Sequence, residues 1–187
     1  MPSGRTHDRI TWATAPAAVV AAWALTGSLR IAATVGVSYV FAGLMFGGDL
    51  DIHSIQYRRW GPLRWLWLPY RRLGTHRSWF THGPIAGTLG RLVYLGIALA
   101  CLGLPLAFVL EDWGDVPLHW RAHLLAAFSW GSAHWPVLVW GLLGLELGAM
   151  SHSLSDWMGS ACRRLLRARR RRRQGASPYR ISAARGR

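Results

Sequence analysis

Hydrophobic residues in this chain are gathered into blocks and not spaced at intervals. Four blocks stand out, residues 13–28, 31–47, 84–110 and 124–150. Runs that are apolar all round belong to helices surrounded by other apolar material, lipid included. A bilayer core takes about 20 apolar residues per helix, with a lower limit near 17. The last two blocks exceed that length and the first two approach it. Gly27, Ser28 and the charged Arg30 mark a turn between the first two, so residues 13–47 predict a helical hairpin. The competing reading, a signal peptide with Arg5 and Arg9 as its basic region and small residues near 26–28, is disfavoured. A second apolar block follows at once, and His7-Asp8 would be discarded. The expected fold is all-α, an integral membrane helical bundle of about four transmembrane helices.

The polar intervals give that bundle a direction. All 22 basic residues are arginine, against 8 Asp plus Glu, for a formal charge of +14. Four crossings place the N-terminus, the central loop and the C-terminus on one side, where nineteen arginines fall, against only Arg30 and Arg121 on the other side with Glu111, Asp112 and Asp115. By the positive-inside rule the arginine-rich side is cytoplasmic, so a multi-pass protein of the inner (cytoplasmic) membrane with both termini in the cytoplasm is expected. The central loop mixes Arg with Trp60, Trp65, Trp67, Tyr70 and Trp79 and is cut by Pro62 and Pro69. Such a loop suits the headgroup region, as an interfacial rim around whatever it builds.

Two regions follow: a single helical membrane domain over 1–160 and a basic tail over 161–187. The tail starts as a helical extension and then reads as disordered. Contact with anionic lipid is its favoured partner reading, ahead of nucleic acid. Half of the residues are hydrophobic and twelve are Trp, in keeping with a membrane protein. Cys101 and Cys162 fit neither a disulfide framework nor a thiolate metal site and read as packing residues.

The scarce acids matter more once the topology is drawn, because the predicted crossings bring the His and Asp clusters to one face. His7 and Asp8 precede the first helix, Asp49, Asp51 and His53 follow the second, His76 and His82 precede the third, and His152 and Asp156 follow the fourth. An extended GDLDIHS would point Asp49, Asp51 and His53 the same way. His152 and Asp156, four apart, share a helical face. Nine nitrogen and oxygen donors without thiolate suit Zn first, then Mn or Fe. They exceed one tetrahedral shell, which leaves room for one or two ions. Each cluster also has a plain alternative as a solvated pair, a helix stop or a cap, and only their joint occurrence argues for a shared site. Arg77 could clamp phosphate oxygens with its planar fork. Glu146, ionisable inside the fourth block, reads as a partner that orients a ligand histidine. His119, His123 and His134 fall on the far side or in the interior and are left out.

The opening SGRTHDRIT, the stretch GDLDIHSIQYRRWGPLRWLWLPYRRLGTHRSWFTHGP and the element SHSLSDW resemble the microbial family of uncharacterized metal-binding membrane proteins. His76-Arg77 and Thr81-His82 also look like elements of the LexA-regulated inner-membrane hydrolases. That group is distantly similar to the zinc-dependent phospholipase C superfamily, which is helical and cuts phosphoesters. The spacing within HRSWFTH is one residue longer than in the hydrolases, so the resemblance implies a metal site more firmly than an activity and implies no particular substrate. The expected function is metal-dependent hydrolysis of a phosphoester, a lipid arriving laterally being one candidate. The alternative is a metal-binding membrane protein without catalysis, acting as sensor, metal handler or scaffold. A transporter is disfavoured because the donors sit at one face.

Overall fold

The computed structural model describes residues 4–73, 78–114 and 116–175, and in them the chain is helical with no strands. Helix α1 (Gly4–Thr26) and helix α2 (Leu29–Met45) form an antiparallel hairpin. Gly27 takes φ +64°, a left-handed value that costs glycine nothing. Ser28 then caps α2, its side chain accepting the Ile31 N–H at 3.4 Å. Arg30 lies inside α2, not in the turn.

The central segment is a chain of short helices: a 3-10 turn (Gly48–Asp51), α3 (Ile55–Arg59), a second 3-10 stretch (Gly61–Trp67), α4 (Tyr70–Leu73) and α5 (Trp79–His82). Helix α6 (Ala86–Phe108) runs on through a π-turn (Val109–Trp113). Helix α7 (Trp120–Ala133) ends at a break on His134, and α8 (Trp135–Gly175) continues for 41 residues. Residues 176–187 of the tail read above as disordered lie outside the described residues.

Helix α2 is central, packed against both α1 and α8, which also meet each other. Glycines set both approaches. A Cβ at Gly144 would sit 2.7 Å from the Val35 carbonyl oxygen, and one at Gly148 would run into that of Tyr39, so α8 lies backbone-close on α2. Small residues four apart allow this wherever apolar helices must pack by shape. Gly43 of α2 gives room in the same way to Thr11 of α1.

Three of the described helices are long and apolar enough to cross a membrane, Leu29–Asp51, Ala86–Trp113 and Trp135–Arg169, where four were expected. The expected span over 124–150 is divided at His134. The 14 residues of α7 reach about 21 Å, short of a bilayer core of about 30 Å. Helix α1 has the length, but it carries a polar first third and Pro16.

The expected aromatic rim is also divided. Trp65 and Trp79 are exposed, whereas Trp67 is wholly buried, ringed by Phe46, Trp60, Tyr70 and Tyr94 at centroid distances of 5.1–5.7 Å. Trp67 therefore belongs to the core with Phe46, Leu50, Tyr57 and Ala149. This core folds the central segment back under the end of the α1–α2–α8 bundle and carries Asp49 and His82 to it.

Candidate metal centre

Five donors meet at that end. His7 comes from the first turns of α1, Asp49 from the 3-10 turn after α2, His82 from the end of α5, and His152 and Asp156 from one face of α8. His7, His152 and Asp156 are 5%, 3% and 8% exposed, a depth at which polar groups must be partnered. One ligand atom from each of these three lies within 4.8 Å of the others. His7 Nε2 is 3.2 Å from Asp156 Oδ1, and His152 Nε2 is 3.2 Å from Asp49 Oδ2. The rings of His7 and His152 stand 4.0 Å apart between centroids. A void of about 20 Å³, room for one ion or water, touches His7, Asp49 and His152.

Each imidazole is held from behind. Ser155 Oγ lies 2.6 Å from His7 Nδ1, the Gln56 amide 3.5 Å from His152 Nδ1, and Thr81 Oγ1 2.9 Å from His82 Nδ1. Gln56 is fixed by donating to the Gly43 carbonyl at 2.9 Å. Ser155 Oγ also lies 2.8 Å from the His152 carbonyl, and between these contacts it holds His7 with Nε2 facing Asp156. Burial pushes the His7 pKa down, helped by the His152 ring beside it and opposed by Asp156 and Asp49, which favours the neutral ring. A neutral imidazole nitrogen and a carboxylate oxygen 3.2 Å apart are two donors placed to share a cation. His152 Nε2, though buried, has no hydrogen-bond partner of acceptable geometry among the described residues. The donor set of imidazole and carboxylate therefore fits a divalent transition metal.

The other residues singled out in the sequence lie elsewhere. Asp8 forms a two-pronged pair with Arg59 at 2.5 and 2.9 Å. Asp51 is buried two residues beyond Asp49, and His53 is exposed with its ring edge-on to Tyr57. Extended geometry would have aligned all three. The 3-10 turn over Gly48–Asp51 has about three residues per turn and spreads them instead. Glu146 does not hold a histidine through any described contact; it accepts the Ile85 N–H at 3.0 Å, at the start of α6. His76 and Arg77 lie outside the described residues.

Supporting residues leave little signal in the sequence. Thr81 adjoins His82 and Ser155 adjoins Asp156, but nothing local marks either as holding an imidazole, and Gln56 adjoins no candidate ligand. Arg91 carried a signal, as the sole arginine inside an apolar block. It is 2% exposed and donates to the Thr81 carbonyl at 2.8 Å and to Thr88 Oγ1 at 3.0 Å, pinning the segment that carries His82. Gly48 is needed beside it, since a Cβ there would come within 2.9 Å of His82 Nε2.

A cleft of about 350 Å³ opens next to the donors, lined by His82 and Asp156, the polar Ser153, Ser160 and Arg164, and the apolar Met150, Leu154 and Trp157.

An uncharacterized protein of Aquifex aeolicus (strain VF5) is 39% identical over 61 residues, 32% of this chain and 43% of the relative, so the match spans less than half of that protein. No solved structure matches. The family described as uncharacterized metal-binding protein (DUF2227) matches residues 2–166, which take in all five converging donors. With that coverage, the chain belongs to this family of metal-binding proteins.

Proposed function

We propose that the protein is a metal-dependent hydrolase of phosphoesters, embedded in the inner membrane with the metal site at the cytoplasmic face. One observation carries the catalytic part. The donors do not close on themselves but border a cleft large enough for a substrate, and a catalytic metal site differs from a structural one in keeping such an opening. When bound, Zn or a similar ion supplies a water that ionises near neutral pH and charge to offset that of an attacked phosphoryl group. The chain supplies the rest. Ser155, Gln56 and Thr81 orient the imidazoles, and Arg164, one of the residues lining the cleft, offers a fork for phosphate oxygens. Met150, Leu154 and Trp157 make the same cleft apolar along one wall, which suits an amphiphilic ester entering from lipid.

Membrane placement rests on the three apolar helices and the arginine asymmetry, and hydrolysis draws further support from the likeness of Thr81-His82 to the LexA-regulated hydrolases. The test uses full-length protein in mild detergent, loaded with Zn or Mn and screened against chromogenic phosphomonoesters and phosphodiesters. Turnover that is abolished by Asp156→Asn and weakened in KM by Arg164→Ala is expected. A metal-loaded protein without turnover on any ester, lipid phosphates included, would leave the non-catalytic reading.

A further inference from the structure

We propose that the centre holds two ions bridged by the Asp49 carboxylate: an inner one among His7, His152, Asp156 and Asp49 Oδ2, and an outer one at Asp49 Oδ1 and His82 Nε2. This rests on the metal site of the proposed function and not on its hydrolytic chemistry. The two oxygens of Asp49 face two different histidines, His152 Nε2 at 3.2 Å and His82 Nε2 at 3.4 Å. A hydrogen bond accounts for the second distance, since His82 Nε2 meets Asp49 Oδ1 in acceptable geometry, but not for the first. His152 Nε2 is buried without a hydrogen bond of acceptable geometry.

His82 is turned the same way as His7. Thr81 Oγ1 lies 2.9 Å from His82 Nδ1 and holds Nε2 toward Asp49 Oδ1, where an outer ion would replace the hydrogen bond between them. Two imidazole Nε2 atoms thus face two carboxylates, His7 against Asp156 and His82 against Asp49, each pair placed to share a cation.

The separations agree. Donors on one tetrahedral zinc, with bonds of about 2.0–2.1 Å, lie about 3.3–3.4 Å from each other. The His–Asp pairs measure 3.2, 3.2 and 3.4 Å, with the His7, His152 and Asp156 ligand atoms spread over up to 4.8 Å. A carboxylate spanning two ions is the arrangement by which paired metals are held close enough to act on one phosphoryl group.

The two positions differ in access. The inner donors His7 and His152 border the small void and are buried, while His82 borders the cleft. The outer ion exchanges faster and keeps coordination positions for water and substrate.

The test is metal content and magnetic coupling of the full-length protein, purified in mild detergent and loaded with Mn²⁺. Wild type is expected to hold about two equivalents with an exchange-coupled EPR signal. His82→Ala is expected to hold about one, with the signal of an isolated ion. Gly48→Ala, which leaves every ligand in place but crowds the His82 ring, should lose the same equivalent. Asp49→Asn should abolish the coupling. One equivalent in wild type, or two that remain uncoupled, overturns the bridge while the metal site of the proposed function stands. Coupling that survives in both His82→Ala and Gly48→Ala also overturns it. No bound metal at all overturns both readings.

Discussion

The two ends of the helical bundle contain the same kinds of residue and use them differently. At the far end, Glu111 accepts the Trp120 N–H, Arg121 approaches Asp112 at 3.4 Å, and His134 stacks on Trp130 at 4.6 Å while bonding its carbonyl. Each pair is close in sequence and lies at or near the surface. At the metal end, Ser155 meets His7 across 148 residues and Gln56 meets His152 across 96. Polar groups near the chain's own turns satisfy one another pairwise. Groups brought from four separate elements can be aimed at one point, and only there, among the described residues, do buried imidazoles face carboxylates.

The largest effect that would break this contrast is loss of metal on changing a converging donor. His152→Ala or Asp156→Asn should lower metal affinity by more than about 100-fold, beyond what loss of a supporting contact does. His119→Ala and His134→Ala should leave elemental analysis unchanged. Equal losses at both ends would remove the distinction.

Next comes the packing that brings the end together. Gly148→Val puts a side chain into the Tyr39 backbone and should cost about 1–3 kcal/mol or more by overpacking. Because His152 lies one turn further along α8, metal content should fall together with thermal stability in detergent. A variant that lost stability but kept full metal affinity would show that the glycine contact does not set the site.

Ser155→Ala and Thr81→Val test the layer behind the histidines. Each removes the hydrogen-bond partner of an imidazole Nδ1 and should weaken metal binding about 10–100-fold with little change in melting. Isothermal titration with Zn²⁺ separates the two quantities.

A smaller effect is expected from acid. His7 is held below its ordinary pKa, so the unfolded chain takes up its proton more readily than the folded one. The stability owed to the neutral ring is complete above an ordinary imidazole pKa of about 6.5 and is lost as pH falls through it toward the lower folded value. Metal-free protein should melt lower at about pH 5.5 than at about pH 7.5, and His7→Gln should narrow the gap. The smallest effect belongs to Arg59→Ala. It breaks the partly exposed pair with Asp8 and should cost less than about 1 kcal/mol, with metal content intact.

Much of this is local and can be read without coordinates. The alternation of apolar blocks and the asymmetry of arginines follow from composition, and the i, i+4 spacing places His152 and Asp156 on one side of any helix. Asp49, Asp51 and His53 were harder, because their common direction depended on extended backbone, and glycines at 47 and 48 let the chain turn instead. The division of 124–150 at His134 was invisible for the opposite reason: hydropathy does not register a break between two apolar helices.

By itself the sequence determined the class of fold, the oxygen and nitrogen character of the donors and their gathering near helix ends, since periodicity and hydropathy act within a few residues. Only the tertiary structure decided that Asp49 faces His82 and His152, that Asp8 is taken by Arg59, that Trp67 is core, and that Ser155 turns His7 toward Asp156. Those relations depend on how α8 seats on α2 through Gly144 and Gly148, and on a core that folds the central segment beneath them. A pairing between distant elements has no local signature, because the free energy that selects it comes from packing the whole bundle at once.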